Sequence, residues 1–110
     1  SAHTHANLFI MKLFNWNSEK NQKLILDRNR SFEEVVFHIQ NGGLLDDIVH
    51  PNVSDYQGQR IFVVCIEDYA YLVPYVETQE EIFLKTIIPS RKFTRIYLGG
   101  EHESSKITKG

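Results

Sequence analysis

The chain has 110 residues, 42% hydrophobic and 24% charged, with a formal net charge of −2. That length supports one domain around a single modest core, and the composition is that of an ordinary globular protein rather than a disordered or fibrous one. No apolar run reaches the roughly 20 residues of a membrane-crossing helix, the single cysteine excludes an internal disulfide framework, and the charge balance argues against a dedicated nucleic-acid binder unless its cations are concentrated locally.

Residues 1–10 (SAHTHANLFI) read as an N-terminal extension or a cloning scar, ahead of a natural-looking start at Met11. The domain is expected over 11–100, with 101–110 as a disordered tail. His3 and His5 form an H-x-H pair, but at a terminus outside the expected fold, so no metal or cofactor is expected. Within the domain, KLFNW is an opening strand, and Asn17 or Ser18 caps a helix over SEKNQKLILDR with Leu24 and Ile25 as its core contacts. Asn29 follows as a left-handed C-cap. Ser31 and Glu34 form a capping box for a second helix, whose Phe32, Val35, Val36 and Ile39 share one face, and Gly42 and Gly43 stop it.

After Gly43 the apolar period changes. LLDDIVH is a strand ending near Pro51, followed by a loop over PNVSDYQGQ. RIFVVCI and YAYLVPYVE are rich in β-branched and aromatic residues and are joined by Glu67–Asp68 as a tight hairpin. Cys65 lies in the first of these as a buried thiol, which suits a reducing, cytoplasmic setting. Pro74 marks an edge position or a bulge in the second. EIFLKTII is a further strand that Pro89 ends, and Ser90 caps a last helix over RKFTRIYL. The class is α+β, with helices packed on an antiparallel sheet in the order β-α-α-β-β-β-β-α.

None of the strong catalytic motifs is present, so the candidates are polar residues at strand ends. A two-residue turn at Glu67–Asp68 pairs Ile66 with Tyr69 and sets Arg60 opposite Tyr75, with Glu77 on the same face. Arg60 is either a strand-edge arginine paired to a carboxylate or a bidentate phosphate ligand. Glu77 is either a solvated strand end or a general base. Lys85 shares the Tyr75 face only if the turn before it has five residues; with four it points the other way. The segment from Lys85 to Tyr97 holds four basic residues and no acid, and Arg91 and Lys92 at a helix start are unfavourable for structure alone but suit an anion. Arg95 extends that patch by a turn. His38 is structural, and His50 at a strand exit is suited to proton transfer, although a solvated loop histidine is the ordinary reading.

FNWNSEKN, SFEEVVF, QRIFVV, YLVPYVE and IIPSRKFTRIY, in this order and spacing, resemble the BrnT-like toxins of bacterial type II toxin–antitoxin systems, across roughly Leu13 to Tyr97. The matching positions are Trp16, Asn17, Lys20, Ser31 to Glu34, Arg60 to Phe62, Tyr75, Glu77 and Ile87 to Lys92. The resemblance implies a RelE-like α+β ribonuclease that cleaves mRNA without metal and blocks translation. It also implies a neighbouring ribbon-helix-helix antitoxin as partner. A base takes the ribose 2′-OH proton and cations stabilise the charge that develops. The candidate catalytic residues are then Arg60, Glu77, Lys85 and Arg91, with Lys92, Arg95, Tyr75 and His50 binding RNA. Two positions depart from the family pattern: Asp27-Arg28-Asn29 replaces Lys-His-Gly, and Lys85 lies one place before the family's arginine, at Thr86. The same basic patch also suits a non-catalytic module that docks an acidic partner.

Overall fold

The computed structural model describes residues 12–51 and 58–99. The H-x-H pair, the tail, Met11, Gly100 and most of the PNVSDYQGQ loop lie outside the described residues. The elements run β1 (Leu13–Trp16), α1 (Ser18–Arg28), α2 (Phe32–Gln40), β2 (Leu44–Val49), β3 (Gln59–Ile66), β4 (Tyr69–Glu77), β5 (Glu81–Leu84), β6 (Ile88–Pro89) and α3 (Arg91–Thr94), which continues as a π-helical turn over Arg95–Gly99.

The caps form as the sequence predicts. Asn17 accepts from the Lys20 amide, Ser31 from Glu34 and Ser90 from Phe93, while Asn29 closes α1 in the left-handed region at φ 57. Each spares an orphan amide or carbonyl at a helix end. The capping box is only half made, because the Glu34 carboxylate is held by Arg30 at 3.2 Å. In α1, Leu24 is buried but Ile25 is exposed, contrary to expectation. The second inward position belongs to Asn21, 4% exposed, whose Oδ1 accepts from the Phe32 amide and whose Nδ2 donates to Glu33. A buried polar side chain is tolerated there because both ends are satisfied.

The sheet order is β1-β5-β4-β3-β2, with β6 pairing β4 beyond the end of β5. The hairpin-linked strands are antiparallel, as expected, but β1 pairs with β5 in parallel, so the sheet is mixed. A parallel pair needs a crossover, and here it contains both helices and three strands. The predicted strand EIFLKTII is also two strands, broken at residues 85–87, and Pro89 lies within β6 rather than after it. Pro74 explains the break: hairpin alternation turns its nitrogen away from β3, toward this gap, where no amide is needed. Its carbonyl still accepts from the Lys85 amide at 2.8 Å.

Two faces follow from the register. Phe62, Val64, Ile66, Val73, Tyr75 and Leu84 face α1 and α2, forming one cluster with Leu24, Phe32 and Val35. Ile61, Val63 and Ala70 point to the opposite face and are also buried. The C-terminal helix crosses that second face: Thr94 Oγ1 accepts from the Ala70 amide on β4, and the Tyr97 hydroxyl donates to Asp46 on β2. Each Val, Leu, Ile or Phe side chain among them contributes roughly 1.5–3 kcal/mol on burial.

Candidate functional site

The Glu67–Asp68 turn has φ of 54 and 64, the two left-handed residues of a two-residue hairpin. It pairs Ile66 with Tyr69 and therefore Arg60 with Tyr75, as the sequence predicts. The loop into β5 has four residues, since Glu77 pairs with Ile82 and Tyr75 with Leu84. Arg60, Tyr75 and Glu77 thus share the face that carries α1 and α2. Lys85 points to the other face, its ammonium 5.4 Å from the centroid of the Phe83 ring.

On the shared face, below the end of α2, lies a cleft of about 580 Å³. Its floor is apolar: Phe14, Ile39, Phe62 and Ile82. Its rim carries Lys12, Asp47, Tyr75 and Glu77. The Tyr75 ring stacks on Phe62 at 3.9 Å between centroids, so its position is set by packing. Only 2% of Tyr75 is exposed, and its hydroxyl donates to Asp47, lying 2.8 and 2.9 Å from the two carboxylate oxygens. Burial first, and then the bond to Asp47, push the Tyr75 hydroxyl above its ordinary pKa. It keeps its proton at neutral pH and acts as a donor rather than a base.

Arg60 does not itself line the cleft, but its Nε donates to Asp47 at 3.1 Å and its Nη2 to the Asp47 carbonyl at 3.0 Å. The bond to Asp47 raises the arginine's pKa, holding the guanidinium charged. On the opposite rim, Lys12 pairs with the Glu77 carboxylate. The site therefore contains two ion pairs and no net charge. Both pairs are partly exposed and screened by solvent, so their geometry matters more than their energy.

Arg91 and Lys92 stand on α3 beside the hairpin end of β4, on the second face, and Arg95 follows on the same helix. They do not join Arg60, Tyr75 and Glu77, so the single basic patch expected from sequence is divided between two faces. His50 directly follows β2, its amide bonded to the Gln59 carbonyl at 3.3 Å, next to the Val49–Arg60 pair. Asp47 and Lys12 are the residues that sequence reasoning missed. Asp46 and Asp47 lie adjacent within a strand, where aspartate is depleted, and that was an available signal. Lys12 carried none, because its position depends on the parallel pairing of β1.

Among the described residues no group of three or more His, Cys, Asp or Glu side chains is arranged to hold a metal ion. No protein-family model matches the chain, and no curated protein and no solved structure matches it significantly.

Proposed function

We propose that this protein is a cytoplasmic, RelE-like endoribonuclease toxin that cleaves mRNA in the cleft without metal, as the resemblance to BrnT-like toxins implies. The observation that carries this reading is the placing of Lys12, Asp47, Tyr75 and Glu77 around one cleft, with Arg60 bonded to the Asp47 carboxylate at its rim. Glu77 takes the proton from the ribose 2′-OH, and O2′ attacks the adjacent phosphorus. The bond from phosphorus to O5′ breaks, and O5′ leaves with a proton from solvent, giving a 2′,3′-cyclic phosphate and a 5′-hydroxyl. Arg60 and Lys12 stabilise the negative charge on the pentavalent phosphorane. Tyr75 positions Asp47, which in turn orients Arg60. A neighbouring ribbon-helix-helix antitoxin is the proposed partner.

Glu77→Gln keeps the shape of the rim and removes the base. We expect RNA cleavage to fall by about 10²-fold or more, and growth arrest on expression to be relieved, with the circular dichroism spectrum unchanged. Cleavage by Glu77→Gln at the wild-type rate would end this assignment. A second reading, a non-catalytic module docking an acidic partner through its basic patch, is favoured by the exposed Arg91 and Lys92, which no ion pair among the described residues engages. It predicts that the wild type neither arrests growth nor cleaves RNA, yet co-purifies with an acidic protein.

A further inference from the structure

Among the described residues the Asp47 carboxylate accepts from two side chains, the Nε of Arg60 and the hydroxyl of Tyr75. A carboxylate has about four lone-pair sites, and a hydroxyl has a single hydrogen. Tyr75 therefore satisfies one oxygen at a time, although it lies close to both. About two acceptor sites on Asp47 stay open. Asp47 lines the cleft with 39% of its side chain exposed, so a ligand there can reach them.

The rest of the cleft narrows the chemistry of the donor. Its volume of about 580 Å³ is that of a small-molecule site, and its apolar floor of Phe14, Ile39, Phe62 and Ile82 suits the face of a ring. The Lys12–Glu77 and Arg60–Asp47 pairs leave the rim without net charge. A cationic donor, such as an arginine from another protein, would stand beside the Arg60 guanidinium and be repelled by it. A neutral flat ring with two adjacent N–H donors meets no such opposition. Among the four RNA bases, guanine has that edge, with N1–H next to the N2 amino group. Adenine sets a ring nitrogen beside its amino group, and cytosine does the same with N3. Uracil flanks its N3–H with two carbonyls. Each of these three turns an acceptor toward the carboxylate, which costs a hydrogen bond and adds repulsion.

We infer that the cleft is a guanine-selective pocket, in which the Asp47 carboxylate accepts from N1–H and the N2 amino group while the apolar floor covers the face of the base. Asp47 is the specificity-determining residue, and Arg60 and Tyr75 position it by occupying its other lone pairs. This rests on the reading of the cleft as the RNA site, and it names the nucleotide taken there. With Glu77 at the 2′-OH of the same nucleoside, cleavage leaves fragments that end in guanosine 2′,3′-cyclic phosphate.

The test uses the full wild-type chain and titration calorimetry with the 3′-monophosphates of guanosine, inosine, adenosine, cytidine and uridine. Guanosine should bind about tenfold or more tightly than adenosine, cytidine or uridine. Inosine keeps N1–H but lacks the N2 amino group, and should bind about fivefold or more weakly than guanosine. Asp47→Asn turns a donor toward the base, so it should lose the preference for guanosine over inosine with the circular dichroism spectrum unchanged. The wild-type series needs no variant, so misfolding of Asp47→Asn leaves the test intact. Equal affinity of the wild type for guanosine and inosine overturns the pocket. So does tighter binding of arginine amide than of guanosine 3′-monophosphate, since Asp47 would then serve a partner's arginine. In an RNA containing all four bases, cleavage should follow guanosine. Equal cleavage after every nucleoside overturns guanine selection and leaves the ribonuclease standing. Selective binding of guanosine with no cleavage of RNA keeps the pocket and ends the ribonuclease reading.

Discussion

Asp46 and Asp47 are neighbours in β2, yet strand alternation sends them to opposite faces of the sheet, where each meets a tyrosine. Asp47 takes the hydroxyl of Tyr75 and the guanidinium of Arg60, and Asp46 takes the hydroxyl of Tyr97. The Tyr97 bond, then the Asp47 amide, hold the Asp46 carboxyl below its ordinary pKa of 3.8. A folded-state value below the unfolded one stabilises the fold above that ordinary value and is lost as pH falls through the depressed one. The same bond raises the Tyr97 hydroxyl, so that contribution is present below the ordinary tyrosine value of 10.0 and fades as pH rises beyond it. Tyr97→Phe should therefore melt below wild type at neutral pH, with the gap closing at both extremes. Thermal melts from pH 2 to 11 measure this, and a gap that persists unchanged at pH 2 contradicts it.

The joints between elements depend on close backbone approach more than on side-chain chemistry. The Gly43 amide bonds the His38 carbonyl and its own carbonyl takes the Cys65 amide at 2.7 Å, tying α2 to β3 as β2 begins. A Cβ on Gly43 would lie 2.9 Å from the His38 carbonyl oxygen and 3.0 Å from that of Cys65. The His38 oxygen cannot swing away without breaking the joint. Gly43→Ala should destabilise the protein by about 1–3 kcal/mol, read by urea denaturation, and an effect under a few tenths would show that the joint yields. The sequence marked the two glycines as a helix stop, but the close approach at the second depends on β3 arriving beside it. In the same way, the helix caps and the Glu67–Asp68 hairpin were legible because they are set by a few adjacent residues. The break between β5 and β6 was not, since it reflects what Pro74 can offer from the neighbouring strand.

Across the whole molecule, one apolar layer joins the helices to the sheet, and Phe32 is at its centre, with no exposed surface and the Trp16 ring stacked 5.7 Å away between centroids. Phe32→Ala should cost about 3–5 kcal/mol, a large part of the roughly 5–15 kcal/mol that holds a domain folded. Urea titration should show a lower midpoint with an unchanged slope; a midpoint within error of wild type would mean the core has repacked around the vacancy. No helix among the described residues is long and apolar enough to cross a membrane. Because the second face is covered by a helix of its own, the chain carries two chemically different surfaces, a charge-balanced cleft and a cationic ridge.

Read by itself, the sequence determined the α+β class, the helix caps, the buried face of α2 and the pairing that sets Arg60 opposite Tyr75. All of these are short-range, fixed by side-chain period, φ preference or a two-residue turn. Tertiary structure decided the parallel β1–β5 pairing that brings Lys12 to Glu77, the partnership of Asp47 with Arg60 and Tyr75, and the separation of Lys85, Arg91, Lys92 and Arg95 from the cleft. These depend on one turn's length and on which sheet face the last helix crosses. A side-chain period of two turns a one-residue difference in either into a change of face.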